Sequence, residues 1–296
     1  MKIAVFDSNL FKFTRDMMDC WRAQGHEVRN RYTFHRPDAE WADLLWFDCV
    51  DGNLVLASTQ YYDLLKNKRV VARGIDIDIW VGYFCRVDWS VVGDLIFIAR
   101  HIRENAMSRY KFPEELRIHH IPCGVDLQRF TMRQNPVRNN KVAVVMRLWH
   151  GKGIDYLLQL ALMMPDYEFH VLGKDGMENW YRAYYQHMAP PNLIRTAHVD
   201  DINAWYEDKS VILVTSKKEA FSYAAAEGMA KGLKPVIHDF YGAADIWPNK
   251  YRWRVLCEAK RMIKGGDYNP AEYRAYIADH YSLERMMQKI NEVCFG

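Results

Sequence analysis

The chain has 296 residues, of which 50% are hydrophobic and 26% charged. That length suits two domains, and the balance excludes a disordered chain. Lys+Arg number 40 against 37 Asp+Glu, so the net charge of +3 excludes a histone-like or strongly polybasic protein while leaving room for local basic patches.

Taken in chain order, Lys2–Phe6 is a short apolar run that reads as a buried strand, and Asp7-Ser8-Asn9 after it reads as a helix N-cap. From Leu10 to Gln24, Phe13, Met17, Met18 and Trp21 recur at helical spacing, and Gly25 supplies a stop. Glu27–Phe34, Asp43–Phe47, Arg69–Ala72, Asp94–Ala99 and Ile118–Ile121 read as further strands separated by helix-like stretches. Buried strands alternating with helices argue for a parallel sheet covered on both faces. Thr131–Asn140 is polar, contains Pro136 and lacks apolar periodicity, so it reads as a linker. The pattern then restarts: strands at Lys141–Met146, Tyr167–Leu172, Leu193–Thr196, Val211–Val214 and Pro235–His238, and helices at Ile154–Met163, Met177–His187 and Ser222–Lys231. Tyr273–Phe295 reads as one amphipathic helix, expected to return to the first domain from about residue 280. The expected domains are therefore 1–134, 135–279 and the terminal helix 280–296: two Rossmann-like α/β halves whose parallel sheets face a cleft.

No run approaches the ~18 apolar residues needed to cross a bilayer, and the apolar run at Lys2–Phe6 is too short for a signal peptide. The six cysteines are scattered singly, with no Cys-x-x-Cys pair. Free thiols in a cytoplasmic protein, possible association with a membrane surface included, are the expectation.

Two segments concentrate chemistry. Glu219 and Glu227 stand eight residues apart, the first after a strand and a Thr-Ser-Lys-Lys turn, the second in a small-residue helix. A helix beginning near Ser222 turns both acids toward one cleft and offers the N–H groups of Phe221, Ser222 and Tyr223 to an anion. On spacing alone, a surface acid and an unrelated helix acid is the better reading. Arg147-Leu148-Trp149-His150-Gly151-Lys152-Gly153 places two cations on a glycine-containing turn between a strand and a helix. Such a pair can neutralise a diphosphate, each close contact giving about 4 kcal/mol of gross Coulomb energy at an effective dielectric of about 20.

With Pro122-Cys123-Gly124-Val125-Asp126 upstream and Ala230-Lys231-Gly232-Leu233-Lys234-Pro235-Val236 downstream, these segments form an ordered series. The series resembles the retaining GT-B glycosyltransferases of family four, or group 1, over roughly Ile118–Val236, with one extra residue between Gly232 and Pro235. The resemblance implies a hexosyltransferase moving a sugar, with retention, from a UDP- or GDP-sugar. Arg147 and Lys152 would hold the donor diphosphate. Glu219 would bind hydroxyls of the donor sugar, with Phe221 and Ser222 near sugar and phosphate. Glu227 would accept from the ribose, and Gly173-Lys174 would lie near the base. Fixed cations and helix dipoles can stabilise the leaving group, so no metal and no cofactor beyond the nucleotide-sugar co-substrate is implied.

The first half departs from that family. Asp7-Ser8-Asn9-Leu10 lacks the usual glycines, and Arg73-Gly74-Ile75-Asp76-Ile77-Asp78 stands where a histidine is common. Ser8, Asn9, Arg73 and Asp76 are the acceptor-side candidates; a structural role fits Arg73 and Asp76 as well. Asp76-Ile77-Asp78 also mimics a metal-binding D-x-D, a pattern too weak to outweigh the ordered series, and His119, His120 and His198 read as core or surface histidines rather than catalysts. Basic stretches at Ala99–His120 and Asn249–Lys264, the second interleaved with Tyr251 and Trp253, suit a polyanion as well as solvated helix faces. Three functions follow. The first is synthesis of a surface glycan or glycoconjugate, the second glycosylation of a hydroxymethylated base in DNA, as some phage enzymes do. The third is a non-catalytic nucleotide-sugar-binding module.

Overall fold

The computed structural model describes residues 1–9, 14–136 and 138–296. Residues Leu10–Phe13 of the first expected helix, and Val137 of the expected linker, lie outside the described residues. The chain divides into two compact units, one made of Met1–Gly124 and Leu283–Gly296, the other of Val125–Ser282.

The first unit runs β1 Lys2–Phe6, α1 Arg15–Ala23, β2 Glu27–Arg31, α2 Arg36–Trp41, β3 Leu44–Phe47, α3 Gly52–Gln60, α4 Tyr62–Leu65, β4 Arg69–Gly74, α5 Asp76–Val81, β5 Asp94–Phe97, α6 Arg100–Arg109 and β6 Arg117–His120. Its six strands pair in parallel in the order β2-β1-β3-β4-β5-β6. All residues of β3 and β5 are buried, as an inner strand covered on both faces requires. β2 stops at Arg31 rather than Phe34, because Arg31 is paired with Phe6, the last residue of β1, and nothing continues the ladder. The helix after β1 is capped at Thr14, not at Asp7-Ser8-Asn9. Asp7 instead accepts from the Thr14 hydroxyl at 2.7 Å and from the Asn9 N–H at 2.7 Å.

The second unit runs β7 Lys141–Val145, α7 Ile154–Met163, β8 Glu168–Leu172, α8 Asn179–Met188, β9 Leu193–Thr196, α9 Ile202–Tyr206, β10 Val211–Val214, α10 Tyr223–Ala230, β11 Lys234–His238, α11 Ala243–Ile246, β12 Arg252–Trp253, α12 Leu256–Lys264 and α13 Pro270–Tyr281. Its parallel sheet has the order β12-β11-β10-β7-β8-β9. Val142, Val144, Leu157, Phe169, Leu213 and Trp253 form its core; burying each such side chain stabilises by roughly 1.5–3 kcal/mol.

The expected terminal helix is two helices. α13 ends at Tyr281, Ser282 is extended, and α14 Leu283–Phe295 follows. Ser282 is held extended by a parallel bridge to Val125, whose N–H donates to the Tyr281 carbonyl at 2.8 Å. The Arg274 guanidinium donates to the carbonyls of Leu127 and Phe130 at 3.0 and 2.7 Å. These bonds put Val125–Phe130 in the second unit, so the units divide after Gly124 rather than after residue 134. α14 packs its Met286, Met287, Ile290 and Cys294 into the core of the first unit beside Trp21 and Trp46.

Candidate active site

In the second unit the strand order reverses between β7 and β10. Crossovers leave those two strands in opposite directions, which opens a crevice at their carboxyl ends. The loop after β7 carries Lys152 in a one-turn 3-10 helix, His150–Lys152, that ends on Gly153 in a left-handed conformation, φ 68°. A Cβ on Gly153 would stand 2.0 Å from the Thr215 carbonyl oxygen, so only glycine lets the turn lie against the end of β10. Thr215 Oγ1 donates to the Lys152 carbonyl at 2.8 Å, and the Lys217 N–H donates to the Gly151 carbonyl at 3.0 Å. The turn thus fixes Lys152, whose Nζ donates to Glu219 Oε1 at 2.6 Å. Ser216 Oγ donates to the same oxygen at 2.7 Å. Ser216 is itself anchored by His238, whose Nδ1 donates to the Ser216 carbonyl at 2.9 Å, an oxygen that can only accept.

α10 begins one residue after Ser222, which has φ 74° and is the one non-glycine residue with positive φ among the described residues. That conformation costs an L-residue roughly 1–2 kcal/mol and sits beside the loop holding Glu219. Gly228 lets α10 press on β10, since a Cβ there would stand 2.7 Å from Ile212. Glu227, one turn into the helix, is half-buried. Burial first, then the Glu227 charge, pushes the Tyr206 hydroxyl well above its ordinary value. Phe221 is buried against Trp247 and Tyr281, with ring centroids at 5.8 and 5.2 Å.

At the carboxyl ends of β7, β8 and β9 a cavity of about 350 Å³ is lined by Arg147, Gly173, Lys174, His198 and Ile202 among others. Gly173 passes so close to β7 that a Cβ would stand 1.9 Å from the Met146 carbonyl oxygen. Leu148 makes both ladder bonds to this turn, its N–H donating to the Lys174 carbonyl and its carbonyl accepting from the Gly176 N–H, each at 2.9 Å. The Arg147 side chain lies over Gly176, where a Cβ would come within 2.5 Å of its Nε.

Of the acceptor-side candidates, Ser8 and Asn9 follow β1 at the corresponding reversal of the first sheet, between β1 and β3, whereas Arg73 lies in β4 and Asp76 just after it. Ser8 is exposed, and Asn9 Nδ2 donates to Cys49 Sγ at 3.0 Å. Arg73 is 4% exposed and ion-paired with Asp48 at 2.5 Å, a carboxylate that also accepts from Trp46 Nε1 at 3.1 Å. Arg73 is thus a buried structural partner of Asp48 rather than an open guanidinium. Burial raises Asp48 to about 6, with Arg73 opposing the shift and Asp7 adding to it. Asp76 is half-buried at the start of α5. Its neighbour Asp78 spends Oδ2 on the N–H groups of Val50 and Ile75, at 2.9 and 3.0 Å, and burial pushes it up to about 8. Among the described residues, no group of three or more His, Cys, Asp or Glu is placed to hold a metal ion.

Sequence reasoning singled out Lys152 and Glu219, which the fold joins, and Arg147, Gly173 and Lys174, which line one cavity. It gave no role to Ser216, Thr215 and His238, and His198, read there as a core or surface histidine, is exposed and borders the cavity. His119 is structural: its Nε2 lies 2.7 Å from Asp94, which also takes the Arg117 guanidinium.

Two six-stranded parallel α/β units of this kind are the fold of the GT-B glycosyltransferases. The chain belongs to the family of glycosyl transferases group 1, which it matches over residues 128–292. An uncharacterized glycosyltransferase of Haemophilus influenzae is 25% identical over 174 residues, 52% of this chain and 48% of that protein; the chain spans about half the length of this curated relative. HepE of Anabaena, solved in complex with UDP, superposes with a TM-score of 0.76 at 14% identity over 99% of both chains. The lipopolysaccharide outer core galactosyltransferase WaaB, in its apo form, gives 0.67 at 15% identity over 99% of both chains. No helix of the described residues is long and apolar enough to cross a membrane.

Proposed function

We propose that this glycosyltransferase moves a sugar, with retention and without a metal, from a UDP- or GDP-sugar to a glycan or glycoconjugate acceptor. The observation that carries the reading is the Lys152–Glu219–Ser216 cluster at the carboxyl ends of β7 and β10, beside the cavity lined by Arg147 and Lys174. Lys152 and Arg147 would neutralise the departing diphosphate, and fixed cations require no reorganisation when charge develops there. Lys152 and Ser216 both use Oε1 of Glu219, which leaves Oε2 for a hydroxyl of the donor sugar. The Gly173-Lys174 turn would border the base, and Glu227 would accept from the ribose. Phe221 and Ser222 would place the loop against the sugar and phosphate. The UDP-bound state of HepE supports a uridine nucleotide, and the lipopolysaccharide acceptor in the name of WaaB supports a surface glycan.

Nucleotide release measured over a panel of UDP- and GDP-sugars, against glycan, lipid-linked and hydroxymethylated-DNA acceptors, tests this. Release with a glycan acceptor, abolished by Glu219→Ala and by Lys152→Ala in proteins that stay folded, is expected. Turnover only with DNA would replace the acceptor, and full turnover in both variants would overturn the site.

A further inference from the structure

The basic stretch Asn249–Lys264 has no part in the donor site. At the β11–β12 edge of the second sheet, away from the β9 edge that borders the donor cavity, it lines a second cavity of about 380 Å³. Lys250, Arg252, Arg254 and Arg261 contribute four cations to the lining, against the two carboxylates of Asp239 and Glu258.

Both carboxylates are already engaged. Asp239 Oδ1 accepts from Arg252 Nη1 and Oδ2 accepts from Arg254 Nε at 2.6 Å, so a single negative charge serves two guanidiniums. Burial would raise Asp239, but Arg254 and Arg252 hold it below the usual carboxylate range, so it stays ionised. Glu258 Oε2 turns back to accept the Arg254 N–H at 2.8 Å, capping α12. Lys250 reaches Glu272, outside the lining. Arg252 is 12% exposed, and its Nε is buried with no acceptor among the described residues. With Lys250 balanced by Glu272, the cavity keeps one positive charge in excess of the carboxylates that Asp239 and Glu258 supply, and Arg261 and Arg254 present exposed guanidiniums at its lining.

We propose that this cavity is a second anion-binding site, separate from the donor pocket, that takes a phosphate ester or diphosphate group. Guanidinium forks match the tetrahedral oxygens of phosphate, and an anionic group meets the surplus positive charge. The same chemistry is offered by a soluble phosphorylated sugar and by a phospholipid headgroup. The inference does not depend on the glycosyltransferase reading.

Calorimetric titration of inorganic pyrophosphate into the full chain, in a Lys152→Ala background that takes the donor loop out of play, tests it. Adding Arg261→Gln or Arg254→Gln, both exposed positions, should weaken binding by about tenfold or more, with an unchanged thermal unfolding midpoint showing that the fold is intact. Sedimentation with phosphatidic acid vesicles against phosphatidylcholine vesicles separates the two sources. Vesicle binding lost in the same variants assigns a headgroup, and pyrophosphate binding alone assigns a soluble phosphoester. Equal binding by variants and parent, or no binding of either probe, would overturn the site.

Discussion

Replacing Gly153 by alanine tests how Lys152 is positioned against Glu219. At φ 68° an L-residue costs roughly 1–2 kcal/mol. The added Cβ would also stand 2.0 Å from the Thr215 carbonyl oxygen and 2.8 Å from its carbon, both backbone atoms of the β10 end. Restoring ordinary contact near 3.4 Å requires a separation of about 3.4 − 2.0 = 1.4 Å. Because Lys152 is the preceding residue, the same shift stretches its 2.6 Å bond to Glu219 toward about 4 Å, the limit of an ion pair. A loss of about 3 kcal/mol in the second unit follows, or a fall of about 6–12 °C in its unfolding midpoint. Misplacement by about 1 Å can cost 10²-fold in rate, so transfer should fall by about that factor. Gly25 provides the control. It too has positive φ, 85°, but nothing lies within 4 Å of its would-be Cβ. Gly25→Ala should therefore show only the backbone cost, about 1–2 kcal/mol, with transfer and UDP affinity unchanged. Thermal unfolding, UDP titration and nucleotide release on both variants decide it. A Gly153→Ala protein that matched Gly25→Ala in all three would refute the argument that the β7 turn is wedged against β10.

Two further outcomes are expected. Asp48 and Asp78 have folded-state values of about 6 and about 8, above the ordinary 3.8, so the folded first unit holds their protons more tightly than the unfolded chain does. Their contribution is fully present below about pH 4 and is lost as the pH rises through 6 and 8. Denaturant titrations should show the first unit weakening from pH 5 to pH 9. Asp78→Asn can keep both N–H bonds, since both reach one oxygen, and should flatten the loss between pH 6 and 8; an unchanged slope there would rule Asp78 out as its source. In the second unit, Asn192 Nδ2 donates to the carbonyls of Ala161, Met164 and Tyr167 at 3.1, 3.0 and 2.8 Å, closing the end of α7. Asn192→Ala should cost about 2 kcal/mol, read as a shift in the unfolding midpoint.

The local signals that survive in the sequence are those made of many residues. Val211–Val214 is a continuous β-branched and leucine run, and Ile154–Met163 has helical periodicity behind a glycine; both elements form as the pattern predicts. β12 is two residues long, too short for any periodicity. α12 has Val255 at its cap, where a sequence reader looks for Ser, Thr, Asp or Asn, and Glu258 takes up that work from inside the helix. No proline or glycine marks Ser282, so the break between α13 and α14 is set by its pairing with Val125, far away in the chain. The site divides in the same way. Lys152 and Glu219 stand out as charged residues on loops after strands, whereas Ser216 and His238 are ordinary residue types whose roles come from sheet register alone. Asp48 and Arg73 meet because β3 and β4 are paired through Phe47 and Ala72, a fact no local pattern contains.

The path of the chain has a consequence for how the protein is made. Val125–Ser282 is one uninterrupted stretch and can condense as soon as it has left the ribosome. The unit synthesised first must wait longer: Trp21 donates its Nε1 to Asn291 at 3.0 Å, and Arg69 donates to the Val293 carbonyl at 2.5 Å. These contacts bridge 270 and 224 residues, and closing such distances is slow compared with local pairing. Until α14 emerges, Met17, Trp21 and Trp46 lack one side of their core. The half that is translated first is therefore the half that finishes folding last, and a nascent chain passes through a stage in which this apolar face is a natural target for chaperones.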